Sequence, residues 1–159
     1  MAIAVTTNES KGMIEFVAGF MFTPDKDKVA LVCKNRPSWQ KGSLNGIGGK
    51  VEAFDASTVA AVCREFEEEA GVKTTPEEWQ HFARLEVVGL GYVNFFRAFS
   101  DKVHKIHACT DEEVGLYETQ NLPANLISNL KWLIPMSMDE NLLLDNIPVF
   151  TEQTAQKTA

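Results

Sequence analysis

The chain has 159 residues, 45% of them apolar, which suits one globular domain with a single core. Its formal charge of -7 argues against nonspecific binding to DNA or to anionic membranes, since both require basic patches. An anionic ligand would therefore have to be met by a local cation site.

After a polar start (Thr6 to Gly12), the run MIEFVAGFMF at 13–22 puts Ile14, Phe16, Phe20 and Phe22 on one face and Met13, Val17 and Met21 on the other. Both faces are largely apolar, which predicts a central strand covered on both sides. Pro24 to Asp27 turns the chain into a second strand at 28–35, forming a hairpin. Residues 36–46 are rich in turn formers and read as a loop, followed by an extended segment at 47–51. Val59, Val62, Cys63, Phe66 and Ala70 recur at helical spacing, with Asp55 or Ser57 as cap and Gly71 as the left-handed terminator, so a helix is expected over 57–70. Pro76 opens a short turn or helix. The β-branched and aromatic stretches at 85–100 and 103–110 read as a strand pair. A short strand around 115–118 follows, and Leu126, Ile127, Leu130 and Leu133 predict a second helix over 125–134. The pattern is α/β, a mixed sheet with a helix on each side, forming one domain over 1–150 and leaving 151–159 as a tail that frays.

Cys33, Cys63 and Cys109 lack paired short spacing and read as reduced core residues, while His81, His104 and His107 show no zinc-ligand spacing. With no leader peptide and no apolar run long enough to span a bilayer, the expectation is a cytoplasmic protein, monomer or homodimer.

The chemistry concentrates in the first helix. Glu65, Glu68 and Glu69 share one side of it and repel one another by about 0.2–0.5 kcal/mol per pair. Taken alone, such a run is a solvated acidic face. Arg64, one turn before Glu68, offsets part of the repulsion, and a hard divalent cation with oxygen ligands, Mg²⁺ above all, would do so far better. Just upstream, the glycines of Asn45-Gly46-Ile47-Gly48-Gly49-Lys50 let backbone approach a ligand closely, and Lys50 suits a phosphate. The alternative for that stretch is an ordinary tight turn. Neither GxxxxGK[ST] nor a GxGxxG between strand and helix is present, so no ATPase or dinucleotide-dehydrogenase loop is supported.

Gly49 together with Arg64-Glu65-Phe66-x-Glu68-Glu69-x-Gly71-Val72 resembles the signature of the Nudix hydrolases, G-x5-E-x7-R-E-U-x-E-E-x-G-U, with U aliphatic or aromatic. The second half matches throughout. In the first half the expected Glu falls on Asp55, eight residues rather than seven separate it from Arg64, and Phe54 replaces a usual Gly, as if one residue were inserted in the loop. The resemblance implies an α/β/α Nudix sandwich. It also implies Mg²⁺, or Mn²⁺ in its place, held by Glu65, Glu68, Glu69 and the Gly48 carbonyl, with Arg64 orienting the glutamates. A further carboxylate from the loop before the last strand, as metal ligand or base, is placed on Glu113, with Glu112 close behind.

The implied substrate is a small nucleotide with a phosphoanhydride, not a nucleic acid. Residues 44–51 look like the corresponding stretch of the MutT and oxidised-purine triphosphatase branch, where the Asn equivalent to Asn45 reads the base. Gly49 and Lys50 join it in the expected substrate set. That resemblance favours cleavage of a (d)NTP to (d)NMP and pyrophosphate. ADP-ribose or another nucleotide conjugate is the alternative. Sensors of this family that bind without turnover typically lack glutamates that are retained here.

Overall fold

The computed structural model describes residues 13–142 and 145–153. Its strands are β1 (Ile14–Phe22), β2 (Lys28–Cys33), β3 (Leu44–Asn45), β4 (Ile47–Lys50), β5 (Gln80–Val88), β6 (Gly91–Phe99), β7 (Val114–Glu118) and β8 (Val149–Gln153); its α-helices are α1 (Thr58–Ala70) and α2 (Leu130–Ser137). All eight strands join one sheet in the order β3-β2-β1-β6-β5-β8, with β4 added to β1 and β7 to β2. β1 runs parallel to β6, and β5 parallel to β8, while the other pairs are antiparallel.

Strand alternation divides the core in two. Val17 and Met21 of β1 point toward α1, where they meet Val62, Phe66, Ala70 and Trp79. Ala18, Phe20 and Phe22 point the other way, toward Leu130, Leu133 and Ile134 of α2. β1 is thus the two-sided central strand that its sequence predicts. Phe20, Phe22, Phe66 and Phe82 are fully buried, each worth ~1.5–3 kcal/mol of transfer free energy.

The 85–100 run is not one strand paired with 103–110. It is most of a hairpin in itself: β5 turns into β6 at Gly89, whose φ of 81° favours glycine, and Leu90 N–H closes the turn on Val87 C=O at 3.0 Å. Residues Asp101–Lys105 form a short 3-10 turn started by Ser100, whose hydroxyl accepts from the Lys102 amide at 3.1 Å. From there the chain crosses the end of α1, His107 N–H donating to Ala70 C=O and Cys109 N–H to Glu69 C=O.

α2 begins at Leu130 rather than 125, because residues 125–127 are drawn alongside β3: Leu44 N–H donates to Asn125 C=O and Ile127 N–H to Leu44 C=O. It also runs on past Pro135. Its last turn lies against Arg97, a 7% exposed guanidinium that donates to the carbonyls of Ser137 and Asp139 at 3.0 and 2.9 Å. Thr151 to Gln153, read from composition as the start of a fraying tail, belong to β8, which adds in parallel to β5 with Phe150 opposite Leu85. Residues 154–159, like the polar start at 6–12, lie outside the described residues. Cys33 and Cys63 are half-buried free thiols at the core edges, whereas Cys109 is exposed rather than in the core.

Candidate active site

α1 is fixed at both ends. The Ser57 hydroxyl accepts from Ala60 N–H at 3.1 Å, and Gly71 ends the helix in the left-handed conformation with φ 70°. Ala61, Val62, Phe66 and Ala70 bury one stripe, Phe66 packing edge-on to Trp79 at 5.3 Å, and this sets the orientation of the glutamates. Beneath the helix, β4 pairs with β1 through Gly48 and Gly49. A Cβ on Gly48 would sit 1.9 Å from Val17 C=O, and one on Gly49 would sit 2.6 Å from Glu65 Oε1. Gly49 therefore brings the Glu65 carboxylate directly onto the backbone of β4, while Gly48 lets β4 close on β1.

Arg64 is the hub of the near side. Its Nε and Nη2 donate to the two Asp55 carboxylate oxygens, both at 2.9 Å, its Nη1 reaches Glu65 at 2.9 Å and Glu68 at 3.2 Å, and Nη2 also reaches Lys50 C=O at 3.1 Å. Asp55 is 4% exposed and also accepts from Glu52 N–H at 2.8 Å. The Arg64 hydrogen bonds hold its pKa below the usual carboxylate value, and Arg64 is raised in turn. The loop before α1 thus carries a carboxylate that reaches the arginine. The ring of Phe54 lies 5.3 Å from the same guanidinium.

Glu65 is raised chiefly by burial, against the pull of Arg64. Glu69 is buried deeper. Its Oε2 is a buried oxygen without a hydrogen-bond partner, and burial pushes its pKa up to about 7, with Lys34 lowering it and Glu65 and Glu112 raising it.

Glu112 comes to Glu69 through strand register. β7 pairs with β2 so that Val114 lies opposite Val32 on the α1 face, and two residues further along the same face come Lys34 and Glu112. Lys34 Nζ lies 3.1 Å from Glu112 Oε1, and Asn35 N–H donates to Oε2 at 2.5 Å. Glu112 is 4% exposed, and although burial pulls the other way, the Asn35 amide and Lys34 leave its pKa lowered. Glu113, favoured from the sequence, is exposed, and alternation gives it the Tyr117 side of β7, away from α1.

Asn45 stands at the end of β3, its Oδ1 accepting from Gly46 N–H at 2.8 Å and its Nδ2 donating to Gln40 Oε1 at 3.3 Å. Lys50 is exposed at the end of β4. The structure thus brings Glu65, Glu68, Arg64, Gly49 and Lys50 together, and sets Glu112 on the sheet face that carries α1 and Glu69. Lys34, Asn35 and the reach of Asp55 were missed from sequence. An ion pair between Asp55 and Arg64 could have been anticipated from their charges, whereas Lys34 becomes visible only once the β2–β7 register is known.

Among the described residues no three His, Cys, Asp or Glu side chains converge as a ready-made metal site. The donor set is nonetheless all oxygen, and Glu69 carries an orphaned buried carboxylate oxygen, so these residues fit a hard divalent cation.

A two-layered cover of helices on a mixed sheet, with a glutamate-bearing helix seated on a glycine strand, defines a hydrolase scaffold of known type. The profile of the NUDIX domain matches residues 14–151, and the chain belongs to the Nudix hydrolase family. Such enzymes generally use divalent metal ions and act on small-molecule nucleotide substrates. A MutT structure from work on Aliivibrio salmonicida and Vibrio cholerae is 27% identical, with a TM-score of 0.61 over 77% of this chain and 98% of that one. A MutT NUDIX hydrolase from Burkholderia pseudomallei, 19% identical, shares the fold with a TM-score of 0.64 over 77% and 96%. A MutT/nudix family protein from Enterococcus faecalis, 21% identical, aligns over 74% of this chain and 51% of its own, with a TM-score of 0.57. A search of curated proteins returned no match. No helix among the described residues is long and apolar enough to cross a membrane.

Proposed function

We propose that this Nudix hydrolase cleaves a (d)NTP to the (d)NMP and pyrophosphate. The observation that carries the reading is the glutamate face of α1, with the orphaned Glu69 oxygen at its centre. Glu65, Glu68, Glu69 and the Gly48 carbonyl hold Mg²⁺, or Mn²⁺ in its place. When bound, the cation neutralises the phosphate oxygens and lowers the pKa of a coordinated water. Arg64 aligns Glu65 and Glu68, and Asp55 aligns Arg64. The late carboxylate is Glu112, which lies on the α1 face, and not Glu113. Lys50 and the Gly49 backbone meet the phosphates. Asn45 reads the base, because an amide both donates and accepts and a purine edge offers both partners. The reading keeps the protein in the cytoplasm.

The test is a nucleotide panel with Mg²⁺, products resolved by chromatography. A triphosphate is expected as best substrate, with activity abolished by EDTA and lowered about 10²-fold or more by Glu69→Gln. Asn45→Ala should blunt the preference among bases more than it slows the poorest one. ADP-ribose outcompeting every triphosphate in kcat/KM, with AMP and ribose 5-phosphate as products, would replace the substrate assignment. Turnover that survives EDTA would overturn the metal reading itself.

A further inference from the structure

The carboxylates of this site are held by cations belonging to the chain. Arg64 gathers Asp55, Glu65 and Glu68 on one side, and Lys34 takes Glu112 on the other. Arg64 is fixed by both Asp55 oxygens and by Lys50 C=O, so it is part of the frame. Lys34 is held differently. It stands just beyond the end of β2, its side chain is 17% exposed, and its ammonium donates to Glu112. On the same sheet face lies Glu69, whose carboxylate is met by the Gly48 backbone but whose buried Oε2 has no hydrogen-bond partner, with Lys34 the cation that acts on its charge. An ammonium paired with the buried Glu112 carboxylate, on the sheet face that carries Glu69, competes for the electrostatic place that a divalent ion shared by Glu69 and Glu112 would need.

We propose that Lys34 is a resident counter-ion of the Glu69–Glu112 pair that a divalent cation must displace, so that the lysine sets the threshold of metal binding. The inference rests on the assignment of Glu69 and Glu112 as ligands. It gives Lys34 a role opposite to that of a supporting residue: removing the ammonium strengthens metal binding, whereas removing a group that merely positions Glu112 weakens it.

The experiment is Mn²⁺ binding to the whole chain without nucleotide, followed by the electron paramagnetic resonance of free Mn²⁺. Lys34→Met is expected to bind about tenfold more tightly or better, because a like charge a few Å from the ion in a partly buried setting is worth at least that factor. Lys34→Arg keeps the charge and should stay near wild type, as should Lys131→Met, which removes a lysine from the helix on the other sheet face. Unchanged or weaker binding by Lys34→Met overturns the proposal while leaving the ligand assignment intact. Identical Mn²⁺ binding by wild type and Glu69→Gln overturns both. Should Lys34→Met not fold, wild-type protein answers the same question through acylation of its lysines, read by mass spectrometry. Labelling of Lys34 is expected to rise several-fold from EDTA to saturating Mn²⁺, and constant or falling labelling overturns the displacement.

Discussion

Glu112 and Glu113 are consecutive in sequence and face opposite sides of the sheet. The register that sets Val114 against Val32 puts Glu112 beside Lys34 on the α1 face and leaves Glu113 exposed toward the Tyr117 side. Glu112→Gln should therefore lower kcat by about 10-fold or more, as for loss of an acid–base or metal-holding group, while Glu113→Gln stays near wild type. Steady-state kinetics on the two variants decides it, and the reverse order would move the late carboxylate back to Glu113.

Asp55 is the anchor of Arg64. Asp55→Ala removes two hydrogen bonds from a guanidinium that is 19% exposed and leaves its charge half-buried. A loss of about 2–4 kcal/mol in urea unfolding is expected, together with slower turnover as Glu65 and Glu68 lose their alignment. Asp55→Glu, which keeps the carboxylate on a side chain one methylene longer, should recover part of the stability. A melting curve unchanged in Asp55→Ala would mean that Lys50 C=O and Glu65 suffice to hold the arginine.

The elevated pKa of Glu69 gives the metal-free protein a pH signature. Its folded value of about 7 lies above the ordinary 4.5, so the folded chain retains a proton that the unfolded chain releases. The contribution is full below about 4.5 and is lost as pH rises through 7, up to about 3 kcal/mol. In EDTA, Glu69→Gln should thus be more stable than wild type at pH 8 and close to it at pH 5. Saturating Mg²⁺ should erase the advantage at pH 8. Thermal melts across that range are the measurement, and a mutant less stable at pH 8 in EDTA would show that the buried carboxylate is compensated by its surroundings.

Arg97 tests the scaffold apart from the chemistry. Arg97→Met keeps the length of the side chain and leaves the Ser137 and Asp139 carbonyls and Gln80 Oε1 without their donor. A cost of about 1–3 kcal/mol, mostly from the buried Ser137 carbonyl, is expected in the urea midpoint, with Mn²⁺ affinity unaltered. Equal stability would imply that water replaces the guanidinium.

Local chemistry was legible in the sequence wherever spacing alone carries it. The period of Val59, Val62, Phe66 and Ala70, with Ser57 and Gly71 at its ends, places α1 within one residue, and the alternation of residues 14–22 identifies the two-sided β1. Elements that depend on distant partners were not legible. Val149–Gln153 becomes a strand because β5 offers a parallel edge some 65 residues away, and residues 125–127 are kept out of α2 by β3. The hairpin at Gly89 was legible in principle, since the left-handed preference of glycine outweighs an apolar run that reads as continuous. For Glu112 against Glu113 a one-residue offset decides the face, and only strand register supplies it.

The Gly48–Gly49 strand and α1 come from one contiguous stretch, residues 47–70, and close upon each other with less than an atom's width to spare. Asn45, Gln40 and the 125–127 segment sit on connections outside it. Descendants of this chain can therefore explore new bases or sugars by altering those connections one at a time, while the glycine strand and the glutamate helix are inherited as a block. A graft of 47–70 between relatives of this fold should carry the helix glutamates and their arginine with it, draw the late carboxylate from the recipient, and leave the recipient's taste in nucleotides largely its own.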